Sequence, residues 1–410
     1  MSFGVLRGVN VVNPVMVYVG VWGSVLALYL LGLTKNIVPV SFVGVFLILL
    51  NMASMVTLYL LVVAGKPKPE CPPPREHSYL RACQYYAAVL GLGWVIGTLF
   101  EIVVMRGFPL LWTLIGDPRL YVDFGIPSFH GIMNAFYLQL MTALGYLYVK
   151  QKKVWIACLV CLLLLWPVMM LGRGILLSAV IQLVAVFLMM HRTTVKSLAW
   201  MVVICAAAVL AFGILGDLRQ QANPLAYLVK PEYEGVFASL PNGFLWFYVY
   251  MTSGMSNLFF NIDTLEPVFS FSYSFYNLLP SAIKGMLNME SRSDLFQWVD
   301  PNLNAATYYA GYVADFGPLG AFCLASVIQL CACVTYSIGT QGRPWGILAY
   351  SVMLQILVFT IFYDMFFLLP VLFQLLLAFL LFVAFHLSRE LTARRKVRLT
   401  QTFEAGIHDD

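Results

Sequence analysis

Long apolar runs broken by short polar gaps fill this chain, and their length sets its class before any single residue does. Runs of about 18 to 25 residues recur from end to end, each long enough to cross the hydrocarbon core of a bilayer as a helix. They predict spans at Val11–Leu33, Ile37–Val63, Gln84–Val104, Ser128–Tyr148, Val154–Leu171, Ile175–Met190 and Ser197–Leu215. Leu319–Ser337, Trp345–Phe362 and Phe366–Leu387 follow after a longer, more polar interval. The pattern is that of an all-α polytopic membrane protein with about ten transmembrane helices.

The polar gaps decide which way the spans run. Lys66, Lys68, Arg75 and Arg81 form one basic cluster, Lys150, Lys152 and Lys153 a second, and His191, Arg192 and Lys196 a third. Arg389, Arg394, Arg395, Lys396 and Arg398 form the last. Basic residues concentrate on the cytoplasmic side, which puts these clusters and both termini there. Met1–Asn10 leads straight into a long span, without the short apolar region and small-residue site of a cleaved leader. Spans counted forward from the N-terminus then end outside near Gly216, and spans counted back from the tail end outside near Ala305.

Phe244–Ile262 is apolar enough to suggest another span, but a single crossing there would break that count. It is also rich in Tyr, Ser, Thr and Asn. The expectation is one large outer segment with interfacial or re-entrant helices, its Trp246, Phe247, Tyr248 and Tyr250 at headgroup depth. The expected organisation is residues 1–216 as N-terminal transmembrane helices with an irregular outer loop at 101–127, and 217–306 as the large outer segment. Residues 307–387 would be the C-terminal transmembrane helices, and 388–410 a cytoplasmic tail. That tail reads as a basic surface helix fading into a disordered polar end.

Composition agrees with the pattern. With 61% apolar and 10% charged residues, an ordinary soluble domain is excluded. The net charge of +5 is explained by cytoplasmic loops and calls for no nucleic acid. Most of the eight cysteines lie in apolar spans and none in the expected outer loops, so no structural disulfide is expected. No internal repeat or matching pair of broken helices, the mark of many secondary transporters, stands out.

Against this apolar ground, Glu290–Gly320 is densely polar and runs directly into the Leu319–Ser337 span. Asn304, Tyr308, Tyr312 and Asp315 fall at i, i+4, i+8 and i+11, one stripe if the stretch is a helix. A carboxylate at the mouth of a span is costly and has a task or a partner. Two readings of Asp315 stand open. A helix starting at Pro318 makes it an N-terminal cap, whereas one starting near Ala305 and kinked at Pro318 buries it as a general base or arginine partner. Asp-Phe-Gly has no kinase meaning without the other kinase elements.

Arg173, between Gly172 and Gly174, stands in an expected outer turn, where its planar guanidinium fits diphosphate oxygens. The plainer reading is an arginine that snorkels to the interface. Arg292 and Asp294 are either a diphosphate ligand with a carboxylate base or a solvated ion pair. Arg219 and Lys284 are further phosphate candidates. Asp300-x-Asn302-x-Asn304 imitates a calcium loop but has Ala305 and Gly311 where that loop needs Gly and Glu. His130 has no second His or Cys nearby, so no metal site is expected.

Asn304…Thr307…Tyr312-x-x-Asp315-Phe316-Gly317-x-x-Gly320 resembles the late signature of the oligosaccharide repeat unit polymerases, the Wzy group. Gly172-Arg173-Gly174 is similar to that family's Ser/Thr-Arg-Gly pattern, with Gly172 in place of the hydroxyl residue. The resemblance implies a GT-C-like fold and a multi-pass enzyme of the bacterial inner membrane. It would join undecaprenyl-diphosphate-linked oligosaccharide repeat units of O-antigen or capsule at the periplasmic face. The implied chemistry is inverting glycosyl transfer without metal or other cofactor. Asp315 or Asp294 would be the catalytic carboxylate, and Arg173, Arg292, Arg219, Asn304, Tyr308 and Tyr312 would bind diphosphate or glycan. Expected partners are the lipid-linked donor and acceptor, the bilayer and a chain-length regulator. The alternatives are a lipid-linked oligosaccharide flippase or transporter, and an O-antigen ligase. The ligases carry a histidine in the large outer segment, and none occurs between Asp217 and Ala306 here.

Overall fold

Helices and their connecting turns make up this computed structural model, which describes residues 11–65, 76–191, 225–287 and 296–407, with single positions 199, 203 and 206. The first half comprises α1 (Pro14–Leu31), α2 (Phe42–Tyr59, extended by a π turn at Leu60–Ala64), α3 (Glu76–Met105), α4 (Pro109–Ile115) and α5 (Phe129–Gln151). It continues with α6 (Val154–Leu163), α7 (Leu165–Met169) and α8 (Arg173–Met190). Then come α9 (Glu234–Ala238), α10 (Asn242–Ile262), α11 (Ser281–Met286), α12 (Tyr309–Gly339), α13 (Pro344–Phe359) and α14 (Leu369–Ile407).

Among the described residues, 7 helices are long and apolar enough to cross a membrane: Pro14–Leu31, Phe42–Ala64, Ser78–Ile115, Phe129–Gln151, Arg173–Met190, Tyr309–Gly339 and Leu369–Ser388. Val154–Met169 and Pro344–Phe359 are apolar but shorter. Every predicted span overlaps one of these helices except Ser197–Leu215, most of which lies outside the described residues. Phe46, Leu49, Leu61, Val89, Leu92 and Val103 are exposed on α2, its π turn and α3, apolar faces that suit lipid rather than water. Helix length and hydropathy make the chain a multi-pass membrane protein. The tail corrects one expectation, since α14 stays helical through the polar end as far as Ile407.

The chain divides into two compact units, each assembled from separated stretches. The first takes Met1–Pro67, Phe187–Ser337 and Met353–Val371, and the second takes Lys68–Val186, Ile338–Val352 and Leu372–Asp410.

In the first unit, α1 starts on Pro14 with the Asn13 side chain accepting the Val15 N–H (2.8 Å), and ends on Gly32 in the left-handed conformation. Beyond it Thr34 pairs with Val229, through Lys35 N–H to Leu228 O (2.7 Å) and Lys230 N–H to Leu33 O (3.2 Å). Leu225, Leu228, Val229, Leu245, Trp246, Tyr248, Val249 and Leu303 form a core beneath this pairing. Trp246 and Tyr248 are therefore buried within the protein, while Phe247 beside them is exposed. The period of α10 turns most of its length inward, against α1 and α2. Two of its polar side chains, Asn257 and Asn261, bind backbone rather than water.

In the second unit, α5 is buried along most of its length and packs on α3 and α6. The 101–127 loop, expected to be irregular, carries α4 and a 3-10 turn at Tyr121–Asp123. Arg119 organises it: the guanidinium hydrogen-bonds Asp117 (2.7 Å), donates to Met105 O (2.6 Å) and lies 4.0 Å over the Trp112 ring. Hydrogen bonding from Arg119 holds the Asp117 carboxyl down to about 2. Glu101, fully buried, accepts the Ile126 N–H and pairs with His130 (both 3.1 Å), so His130 fastens this loop.

The close approach of α10 to the chain around it is testable. A Cβ on Gly254 would stand 2.4 Å from Ile361 O and 3.3 Å from Thr307 N, all within the first unit. Gly254→Ala is expected to lower thermal stability in detergent by about 1–3 kcal/mol. Gly20→Ala, where a Cβ meets nothing within 4 Å, is expected to be neutral or mildly stabilising by the same melting assay.

Candidate functional site

The polar stretch leading into α12 is not a continuous helix, and its departures from helical geometry build a site. Helix α12 begins at Tyr309 and is broken at Gly317 (φ 71°, ψ −177°), a conformation that suits glycine. Pro318 follows and has no N–H to offer the Ala314 carbonyl four residues back. That carbonyl accepts the Val268 N–H instead (3.0 Å), and Asp315 O accepts the Phe269 N–H (2.8 Å). The break thus ties the 268–269 chain to the end of the first helical piece.

Asp315 lies on that piece and is completely buried. Its Oδ1 accepts from Ser270 Oγ (3.1 Å) and the Tyr273 N–H (3.2 Å); its Oδ2 accepts from the Tyr273 N–H (3.2 Å) and the Ser274 N–H (2.7 Å). Neither reading from sequence matches this arrangement fully. The helix does start before Pro318 and bury Asp315, and its hydrogen-bond partners among the described residues are those of the 270–274 turn.

The expected stripe is also revised. Asn304 is exposed and lies ahead of the helix, as does Tyr308, so only Tyr312 and Asp315 share a helical face. The backbone before Tyr309 is engaged elsewhere. Asn257 Nδ2 donates to Leu303 O and Ala305 O (both 2.7 Å), and its Oδ1 accepts the Val299 N–H (3.0 Å). Asn261, one turn along α10, binds Gln297 in both directions (2.8 and 2.9 Å). Tyr308 N–H donates to Thr360 O (2.8 Å). Behind these, the Tyr18 hydroxyl bonds those of Tyr308 (2.7 Å) and Tyr309 (2.8 Å), and Trp22 Nε1 donates to Thr360 Oγ1 (3.1 Å).

Three segments so held surround a cavity of about 160 Å³. Tyr273, Ser274 and Asn277 come from the turn that Asp315 anchors, and Ala306–Tyr308, Ala310 and Gly311 from the start of α12. Tyr363, Asp364 and Phe367 come from the connection between α13 and α14. Asp364 was not singled out by the sequence, although it is a lone carboxylate in a short gap between two apolar runs. Its Oδ1 accepts the Phe366 N–H (2.9 Å) and, at the limit of distance, the Phe367 N–H (3.5 Å). Burial pushes its carboxyl up to about 6, against the lowering effect of the Tyr312 hydroxyl and of those two N–H groups. Tyr312 stands beside it with its hydroxyl buried. Ser274 Oγ and Thr307 Oγ1 are also buried without a hydrogen-bond partner.

Arg173 belongs to the second unit, as the first residue of α8, half-buried. Gly172 N–H donates to Pro167 O (2.8 Å), and Leu171 has positive φ (52°), so a tight turn presents the arginine at the start of the helix. A cation there adds to the positive end of the helix dipole, which concentrates potential favourable to an anion. Lys284 lies 3.8 Å over the Tyr276 ring, and burial lowers its pKa. Asp300 accepts the Tyr227 hydroxyl (2.6 Å) and the Asn302 N–H (2.8 Å), the bonds of a turn. Arg219, Arg292 and Asp294 lie outside the described residues.

No protein-family model, no curated protein and no solved structure matches this chain.

Two outcomes follow from the carboxylates. Asp315→Ala orphans the Tyr273 and Ser274 N–H groups, at about 1–3 kcal/mol each, and is expected to cut folded yield sharply in size-exclusion chromatography; Asp315→Asn, with one acceptor oxygen left, falls between. Asp364 has the opposite sign. A carboxyl raised from 3.8 to about 6 favours the folded state fully below its unfolded pKa, and that contribution is lost as pH rises through about 6. Asp364→Asn is therefore expected to melt higher than wild type at pH 8, with the difference vanishing below about pH 4.

Proposed function

We propose that this protein is a membrane glycosyltransferase that polymerises lipid-diphosphate-linked oligosaccharide repeat units. The carriers would be undecaprenyl diphosphates, and the reaction would run at the outer face of the bacterial inner membrane. The observation that carries the reading is where the signature-like stretch falls: Thr307, Tyr308 and Gly311 line a cavity that also holds a carboxylate, Asp364. That arrangement supports glycosyl transfer, because an acceptor hydroxyl needs a base and a sugar needs a polar and aromatic enclosure.

Arg173 is proposed to bind the diphosphate, helping it leave and offsetting its charge in the transition state. Arg219 and Arg292 remain proposed diphosphate ligands on the large outer segment, with Asp294 a proposed carboxylate there. Asp315 is given the positioning task of holding the 270–274 turn that walls the cavity. Inverting transfer of this kind needs a base and a stabilised leaving group, and fixed cations serve the second need.

One observation favours a second reading, a lipid-linked oligosaccharide flippase. Gln139, Gln182 and Gln374 are buried in the second unit, with Gln182 Nε2 donating to Gln374 Oε1 (2.9 Å), a polar seam that a moving hydrophilic cargo would use.

Deleting the gene and running the host's surface glycan on a gel separates the readings. A polymerase gives glycan collapsed to a single repeat on its anchor, restored by wild type but not by normally expressed Arg173→Ala. Loss of all surface glycan with repeat units held on the inner leaflet supports the flippase, unattached full-length polymer supports a ligase, and an unchanged ladder overturns the polymerase reading.

A further inference from the structure

The cavity beside α12 offers a set of groups whose chemistry is more specific than a general sugar site. Its carboxylate is only partly engaged: Oδ1 of Asp364 accepts the Phe366 N–H, and the Tyr312 hydroxyl stands beside the group. Ser274 (5% exposed) and Thr307 (2% exposed) each bring a hydroxyl oxygen with no partner. A buried hydroxyl left unsatisfied costs free energy, which a bound polar molecule recovers. Tyr273, Tyr308, Tyr363 and Phe367 add aromatic side chains. Among the described residues no lysine or arginine lines this cavity, a lining better suited to a neutral polyhydroxyl ring than to a diphosphate.

Resting on the glycosyl-transfer reading above, we infer that this cavity is the acceptor-sugar subsite and that Asp364 is the general base that activates the attacking hydroxyl. Ser274 and Thr307 bond the sugar's other hydroxyls, and the aromatic side chains pack on its C–H faces. In the transfer, the acceptor O–H gives its proton to the Asp364 carboxylate as its oxygen bonds the donor's anomeric carbon. The bond from that carbon to the diphosphate oxygen breaks, and its electron pair leaves on the diphosphate. The products are the glycosidic bond, the lipid diphosphate and a protonated Asp364, which returns its proton to solvent. The base must be ionised before each turnover. Among the described residues, the titratable side chains that line the cavity with it are the phenols of Tyr273, Tyr308 and Tyr363, a class of group whose ordinary range lies far above that of a carboxyl.

The test uses full-length protein in lipid nanodiscs, supplied with undecaprenyl-diphosphate-linked repeat units extracted from the deletion host, with polymer read on gels from pH 5 to 8. Wild type is expected to speed up as pH rises through about 6. Asp364→Asn should slow turnover by about 100- to 10,000-fold and flatten that limb. Asp364→Glu should recover part of the rate with a displaced midpoint. Thr307→Val should raise KM for the repeat unit more than it lowers kcat. Asp364→Asn working at the wild-type rate with the same pH limb overturns the assignment and leaves the polymerase standing. If that variant does not fold, Asp364→Glu decides, and an unmoved midpoint overturns the base role. No polymer from wild type at any pH overturns the polymerase reading and this inference together.

Discussion

A backbone that leaves helical geometry among apolar side chains has no water to turn to, so each N–H and C=O it frees needs a partner from the protein. The first unit is organised by that requirement. Gly317 and Pro318 break α12, and the carbonyls released are taken up by the N–H groups of Val268 and Phe269. The turn that follows those residues is held by one carboxylate, Asp315, through both of its oxygens. A few polar side chains therefore stabilise a long irregular stretch that hydropathy alone would assign to solvent.

Asn257 and Asn261 do the same for the other wall. Spaced one helical turn apart on α10, they present their amides to residues 297–305, each acting as donor and acceptor. An amide suits this task better than a charge, because it pairs with both kinds of backbone group and carries no ionic desolvation cost. The segment reaches Tyr308 already fixed, where the tyrosine hydroxyls and the Thr360 carbonyl take over. The cavity is what remains between these anchored segments. The buried hydroxyls of Ser274 and Thr307 and the carboxylate of Asp364 are the groups left facing it after the backbone has been satisfied.

The same logic separates two aspartates that look alike in sequence. Asp315, in the signature-like stretch, is surrounded by donors and is consumed by structure. Asp364 meets two backbone N–H groups on one oxygen, and burial raises its pKa into the range where a carboxyl can take and release a proton. Motif membership favoured the first and local geometry favours the second.

The sequence by itself determined the class, most of the apolar helices and the polar stretch worth attention, because apolar run length acts through the bilayer one segment at a time. It also singled out the Thr307–Asp315 stretch that lines the cavity in part, and the half-buried arginine of the Gly172–Gly174 turn. Burial of α10 was not legible, since Tyr, Ser and Asn there suit an interface as well as an interior. The tasks of Asp315 and Asp364 were not legible either. They depend on which N–H groups arrive beside each carboxylate, the distant Tyr273 and Ser274 for one and, among the described residues, the neighbouring Phe366 and Phe367 for the other. Only the tertiary structure decides that, because hydrogen-bond supply at a buried group is set by chain segments far apart in sequence.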